Sequence, residues 1–331
     1  MTKNLARIVG AVGLLHVLGW GLFAIAVAAS AGPSAASLTI GAGVTAYGLG
    51  MRHAFDADHI AAIDNTTRHL RSQAQSPLSV GLWFSLGHSS VVLIGCAGLA
   101  AGWQALASQI KGDTEGAILT FTGIWGPVIS GVFLIAMGVV NALILRDLLA
   151  ARRVGVAAAE AALTGGGMMN RLFGDRITLI TKPRHMYAVG FLFGLGFDTA
   201  TSVGLLLLAA GVGIGALPWY VFIALPLIFA AGMTLFDTMD GVAMNYAYGW
   251  ADKSHRRRIG YNILVTSVSV FVAFLIGLVN LSGVAVTHGL DVLGLVAAVN
   301  VNLLGFGLVV FFLAVWGTAM LTSRFRTGAK A

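Results

Sequence analysis

Tyr47–Thr67 reads YGLGMRHAFDADHIAAIDNTT, and the fold turns on how it is read. The segment sits in an apolar stretch, yet Arg52, His53, Asp56, Asp58, His59 and Asp64 crowd into about three and a half helical turns. An ionisable side chain in hydrocarbon costs on the order of 3 kcal/mol even on the mild insertion scales. Such a density is tolerable only if the side chains face a bundle interior, pair with one another or hold a cation. Imidazole plus carboxylate, with no thiolate nearby, is a donor set suited to a borderline divalent metal such as nickel, cobalt or zinc.

The surroundings give the class. Of 331 residues, 57% are hydrophobic and 10% charged, against about 25% charged in a soluble domain. Apolar runs long enough to cross a bilayer recur along the chain. The expectation is an all-α, polytopic membrane protein with about eight transmembrane helices in one domain over 1–331. The net charge of +7 resides in loops, so nucleic acid is not the expected partner; the lipid bilayer is. Cys96 is the only cysteine, which excludes a disulfide framework and a CxxC metal site.

Spans are expected near 8–29, 38–63, 78–103, 118–145, 186–211, 217–247, 260–282 and 293–321, the sixth tilted or broken at Pro226 and Gly232. The first, behind Lys3 and Arg7, reads as a helix and not a signal peptide. With eight spans, eighteen of the twenty basic residues fall on one side, Arg68 and Arg71 among them. Arg52 is then within a span, and only Lys111 lies opposite. The positive-inside rule puts both termini and a 146–185 connector in the cytoplasm. That connector contains Gly165–Gly167 and one short helical stretch, 154–163.

The other intramembrane polar groups cluster in the third, fifth and sixth spans: Ser85–Ser90 around His88, Gly194–Ser202 around Asp198, and Gly232–Gly241 with Asp237 and Asp240. Spans two, three, five and six therefore line one polar interior, with Gly and Ser permitting close approach. Gly50-Met51 before Phe55, Asp56 and Asp58 has a faint echo in Gly232-Met233 before Phe236, Asp237 and Asp240, as in a parallel duplication. The remaining histidines, His16, His69, His185, His255 and His288, read as solvated or interfacial.

Helical geometry constrains the second span. At about 100° per residue, Asp58 and His59 lie roughly 140° and 240° around from His53, so the three cannot converge from a straight helix. Either the helix unwinds near Gly48–Gly50 or Asp56–His59, or a ridge of His53, Asp56 and His59 works with His88 or an aspartate from another span. Some departure from straightness is expected, because discontinuous helices are common at transport sites. Arg52 and Asp56 are spaced to pair.

These residues carry a resemblance. Arg52–Ile60, RHAFDADHI, resembles the H-x4-D-H signature of the nickel/cobalt transporter family (NiCoT). FSLGHSSVV at Phe84–Val92, LGFDTAT at Leu195–Thr201 and GMTLFDTMDG at Gly232–Gly241 are similar to that family's further signatures, in the same order. Ser202 departs from the pattern, which often continues into glutamate. The resemblance implies uptake of Ni2+, Co2+ or both across the cell membrane. His53, Asp58 and His59 would be the primary metal-handling residues, with Asp56, His88, Asp198, Asp237 and Asp240 in support. No cofactor, catalytic residue or ATPase partner is expected, since the chain lacks a Gly-x-x-x-x-Gly-Lys-Ser/Thr motif. The competing class, a membrane-embedded metalloenzyme, lacks the H-E-x-x-H of a zinc protease; export of the same metals is the other variant.

The charge asymmetry generates a test of topology. Reporters inserted near Gly166 or fused after Ala331 should read as cytoplasmic, and one near Gly112 as external. A cytoplasmic signal at Gly112 would overturn the span count.

Overall fold

A computed structural model describes residues 2–29, 40–73, 75–100, 117–154, 180–196, 221–251, 255–299, 303–308, 310–311 and 314. Among them the regular structure is entirely helical: α1 (Thr2–Ala29), α2 (Ile40–Ala54), α3 (Ala57–Ser72), α4 (Val80–Ala100), α5 (Ala117–Val154), α6 (Met186–Gly194), α7 (Val221–Ala251), α8 (His255–Thr287) and the single turn α9 (Gly294–Ala297). Five of these, α1, α4, α5, α7 and α8, are long and apolar enough to cross a membrane. With no water in the bilayer core, a helix satisfies its backbone internally, which is why such runs fold this way. The all-α membrane class expected from the sequence holds.

The centre of the bundle is its most polar helix. α3 reads ADHIAAIDNTTRHLRS, yet every residue from His59 to Leu70 is buried. It is surrounded by α4, α5, α7 and α8, and its polar groups reach into them. Asn141 on α5 donates to Asn65 at 2.7 Å. Thr66 points its hydroxyl at the Met186 sulfur of α6 at 3.4 Å. Arg71 donates to Asn245 on α7 at 2.8 Å. Tyr248 on α7 and Ser269 on α8 both donate to Asp64. Apolar side chains fill between them, with Ile60, Ile63 and Leu70 packed among Phe84, Leu134 and Ile276.

Close approach of the helices rests on glycine. A Cβ at Gly50 of α2 would lie 2.0 Å from the Phe229 carbonyl oxygen of α7, and one at Gly232 would lie 2.6 Å from that of Tyr47. The two echoing Gly-Met pairs thus meet in one reciprocal crossing. Gly81 of α4 is held as tightly: its Cβ would fall 1.9 Å from the Asp237 carbonyl oxygen.

Several expectations need correction. The 38–63 span is two helices, α2 and α3, and α3 continues to Ser72. Arg68 and His69, expected in a loop, are buried on α3, where His69 accepts from Gln73 at 3.1 Å. Apolar content alone ended that span too early, because the polar residues after Ile63 find partners in the bundle instead of water. His16 is part-buried, 3.2 Å from the Tyr47 hydroxyl. α5 takes in 146–154, the start of the expected connector, and α7 runs unbroken through Pro226 and Gly232. Buried Ala224, Leu225, Ile228 and Phe229 hold α7 on both sides of the proline. Residues 155–179 of the connector, with nearly all of its expected 154–163 helix, and most of the 186–211 span lie outside the described residues, as does much of 293–321.

Two Gly→Ala changes with the same chemistry should differ in their effect. Gly81→Ala forces α4 off α7 and should lower the melting temperature of the purified protein, a loss of about 1–3 kcal/mol. Gly21→Ala meets nothing within 4 Å and should leave stability unchanged or raise it by up to about 1 kcal/mol. Equal melting temperatures in both variants would remove Gly81 from the packing argument.

Candidate metal centre

The site begins with the interruption between α2 and α3. α2 closes with Phe55 N–H to Arg52 O at 3.1 Å and Asp56 N–H to His53 O at 3.0 Å, the tight bonds of a helix end. Asp56 is then extended, at φ −63° and ψ 139°, and its carbonyl accepts the first bond of α3 from Ile60. Phe55 anchors the break, stacked on Phe306 at 5.5 Å and packed on Phe236 at 5.2 Å.

The break does what a straight helix could not. The rings of His53 and His59 come to 4.8 Å between centroids, and His88 of α4 lies 4.8 Å from each. The three imidazoles form an equilateral group, 9%, 1% and 3% exposed respectively. One ligand nitrogen from each lies within 4.8 Å of the others. Phe84 meets His59 edge-on at 4.8 Å, and Phe229 lies 5.8 Å from His53, so aromatic rings wall the group.

Carboxylates stand behind two of the rings. Asp237 Oδ1 is 3.4 Å from His59 Nδ1, and Asp56 Oδ2 is 3.5 Å from His53 Nδ1. Such contacts fix the tautomer and leave Nε2 as the inward-facing donor. The Nε2 atoms of His53 and His88 are 2.9 Å apart. Two nitrogens so close cannot both carry protons; they share one proton or one cation. Metal–imidazole bonds of about 2.0–2.1 Å bring ligand nitrogens to within roughly 4 Å of each other, a spacing this group reaches with small ring rotations.

The other sequence-derived candidates divide. Asp58 does not enter the group; its Oδ1 accepts from the His59 backbone N–H at 2.9 Å in the first turn of α3, where the helix dipole favours a carboxylate. Asp240 lies one turn beyond Asp237. Asp237 and Asp240 each bury an Oδ2 that has no hydrogen-bond partner among the described residues. Asp198 and Ser202 lie outside the described residues. His88, expected in a supporting role, is an equal third member. The sequence reading missed the buried Arg68, Tyr248 and Ser269 around Asp64, although the i, i+4 spacing of Asp64 and Arg68 was a usable signal.

Comparison with known proteins agrees over nearly the whole chain. Residues 39–322 match the family model NicO, described as high-affinity nickel-transport protein. The chain is 45% identical to the nickel transporter NicT of Mycobacterium tuberculosis over 93% of its own length and 85% of that protein. It is 39% identical to the nickel transporter NixA of Staphylococcus aureus, over 94% and 92%. To the cobalt transport protein NhlF of Rhodococcus rhodochrous it is 37% identical, over 96% and 92%. No solved structure matches significantly.

The contact behind His59 is open to test. Asp237→Asn keeps shape and hydrogen-bonding capacity but loses the charge. Titration of the purified variant with Ni2+ should show affinity weakened about ten- to hundredfold. Wild-type affinity in that variant would separate Asp237 from the metal.

Proposed function

This chain belongs to the NicO family of high-affinity nickel-transport proteins, and from that premise we propose that it carries Ni2+, Co2+ or both into the cell across the cell membrane. One observation supports the reading above the rest: three buried imidazoles converge at a broken helix in the middle of a membrane bundle. The chain acts as a carrier, not an enzyme, and the metal is its substrate.

The donor chemistry selects the cargo class. Imidazole nitrogens suit nickel and cobalt, whereas Mg2+ and Ca2+ demand oxygen ligands. A carrier must also let go, and a site too tight would not conduct. Thiolates are missing from the group, with Cys96 buried in a separate apolar cluster. His53, His59 and His88 are the ligands in this reading. Asp56 and Asp237 hold two of them and balance the charge of the ion, while Asp58 and Asp240 add negative potential on either side. Asp198 keeps its place in the family motif as a further polar group of the path.

Energy comes from the membrane itself. A divalent cation moving down a 100 mV inside-negative potential gains about 4.6 kcal/mol, enough for roughly 2,000-fold accumulation. Uptake should therefore follow potential and need no nucleotide.

Proteoliposomes loaded with an inside-negative potassium diffusion potential should accumulate radioactive nickel without ATP. His53→Ala or His59→Ala should abolish accumulation at normal membrane levels. Accumulation that persists in either variant would remove that residue from the mechanism, and accumulation that requires ATP at zero potential would refute the energetics.

A further inference from the structure

The break between α2 and α3 turns on one extended residue, Asp56. The backbone bonds beside it close α2 or open α3, so what packs on the break sets the angle between the two helices. His53 and His59 each stand three residues from Asp56, within one helical turn. A displacement of the break therefore reaches both rings. Metal sites tolerate about 0.2 Å in their ligand distances, so an element that fixes the break also fixes the imidazole group.

The helical segment 303–308, in the last of the spans expected from the sequence, packs there. A Cβ at Gly305 would fall 2.0 Å from the Phe55 carbonyl oxygen and 3.0 Å from the Ala57 nitrogen. Those two atoms lie on either side of Asp56, so the segment meets the break backbone to backbone. An ordinary close carbon–oxygen contact is about 3.3–3.6 Å; only a hydrogen fits where Gly305 stands. Beside it, the Phe306 ring stacks on Phe55 at 5.5 Å with 23° between the planes. Leu304 and Leu308 join the apolar cluster that contains Ala57 and Ile60 at the start of α3. Gly307, two residues on, has nothing within 4 Å of its Cβ position. The close approach is therefore particular to Gly305. Phe306 is 49% exposed, so its ring serves the break more than the core.

The geometry points to Gly305 and Phe306 as positioning residues that hold the α2–α3 break, and through it the spacing of His53 and His59. They do so from a stretch, 293–321, that carries no ionisable side chain of its own. This role rests on the transport reading of the imidazole group and adds the last span to the parts that shape it.

Titration of the full-length purified protein with Co2+ tests it, because the ligand-field absorption of bound Co2+ reports coordination geometry as well as occupancy. Gly305→Ala should shift the absorption bands and weaken Co2+ binding by roughly tenfold or more. Gly307→Ala should match the wild type in both. Phe306→Ala should shift the bands and weaken binding as well, and Phe306→Tyr, which keeps the stacked ring, should restore them. Wild-type bands and affinity in either folded variant, Gly305→Ala or Phe306→Ala, overturn the assignment. Weakened binding with unchanged bands overturns it too, as a loss of stability without a change of position, and so does a Gly307→Ala that behaves like Gly305→Ala. Should Gly305→Ala not fold, Phe306→Ala decides, since a half-exposed ring can be removed without emptying the core. A wild type that binds neither Co2+ nor Ni2+ would instead refute the transport reading, and this role with it.

Discussion

Buried polar side chains on α3 gain most from partners inside the bundle, because no water is present in the bilayer core to take a partner's place. That preference arranges the helices around it. Asn65 draws in Asn141 of α5, Arg71 draws in Asn245 of α7, and Asp64 with Arg68 ties α7 to α8 through Tyr248 and Ser269. In lipid, apolar contact alone distinguishes poorly between neighbouring helices, since lipid tails are as apolar as leucine. Directional hydrogen bonds to α3 and glycine-mediated crossings supply the specificity that hydrophobic burial supplies in a soluble protein.

The histidine group depends on the same economy of space. α2 and α4 approach α7 through Gly50 and Gly81, so His53 and His88 arrive at one point with Asp237 behind His59. The break at Phe55–Asp56 turns α3 so that its first buried imidazole faces the last of α2. A rigid, unbroken helix would have held those two rings on different faces. Placing the break between two imidazoles also leaves each on its own helix segment, so small movements of α2 against α3 alter the spacing of the nitrogens.

Charge is distributed with equal care. The imidazoles contact each other at the centre, and the carboxylates of Asp56 and Asp237 remain one layer outside. In the proposed transport reading, an arriving dication would be met by ring nitrogens and balanced by negative charge at second hand. Direct coordination by several carboxylates would bind it harder and favour the wrong ions.

The sequence by itself determined the membrane class, because apolar runs of that length have no other stable setting, and it singled out the segment that carries His53 and His59, because clustered charge in hydrocarbon demands partners. The angular argument on His53, Asp58 and His59 also required a departure from a straight helix. Three things belonged to tertiary structure alone. The equal standing of His88 depends on how closely α4 crosses its neighbours, a distance that spacing within one helix does not contain. The exclusion of Asp58 depends on which way the chain turns at Asp56, where its carboxylate finds the His59 backbone N–H. The burial of Arg68, which hydropathy assigned to a loop, depends on partners on α7 and α8 nearly two hundred residues away. Hydropathy measures what a residue loses by leaving water; only the packed bundle reveals what it gains in return.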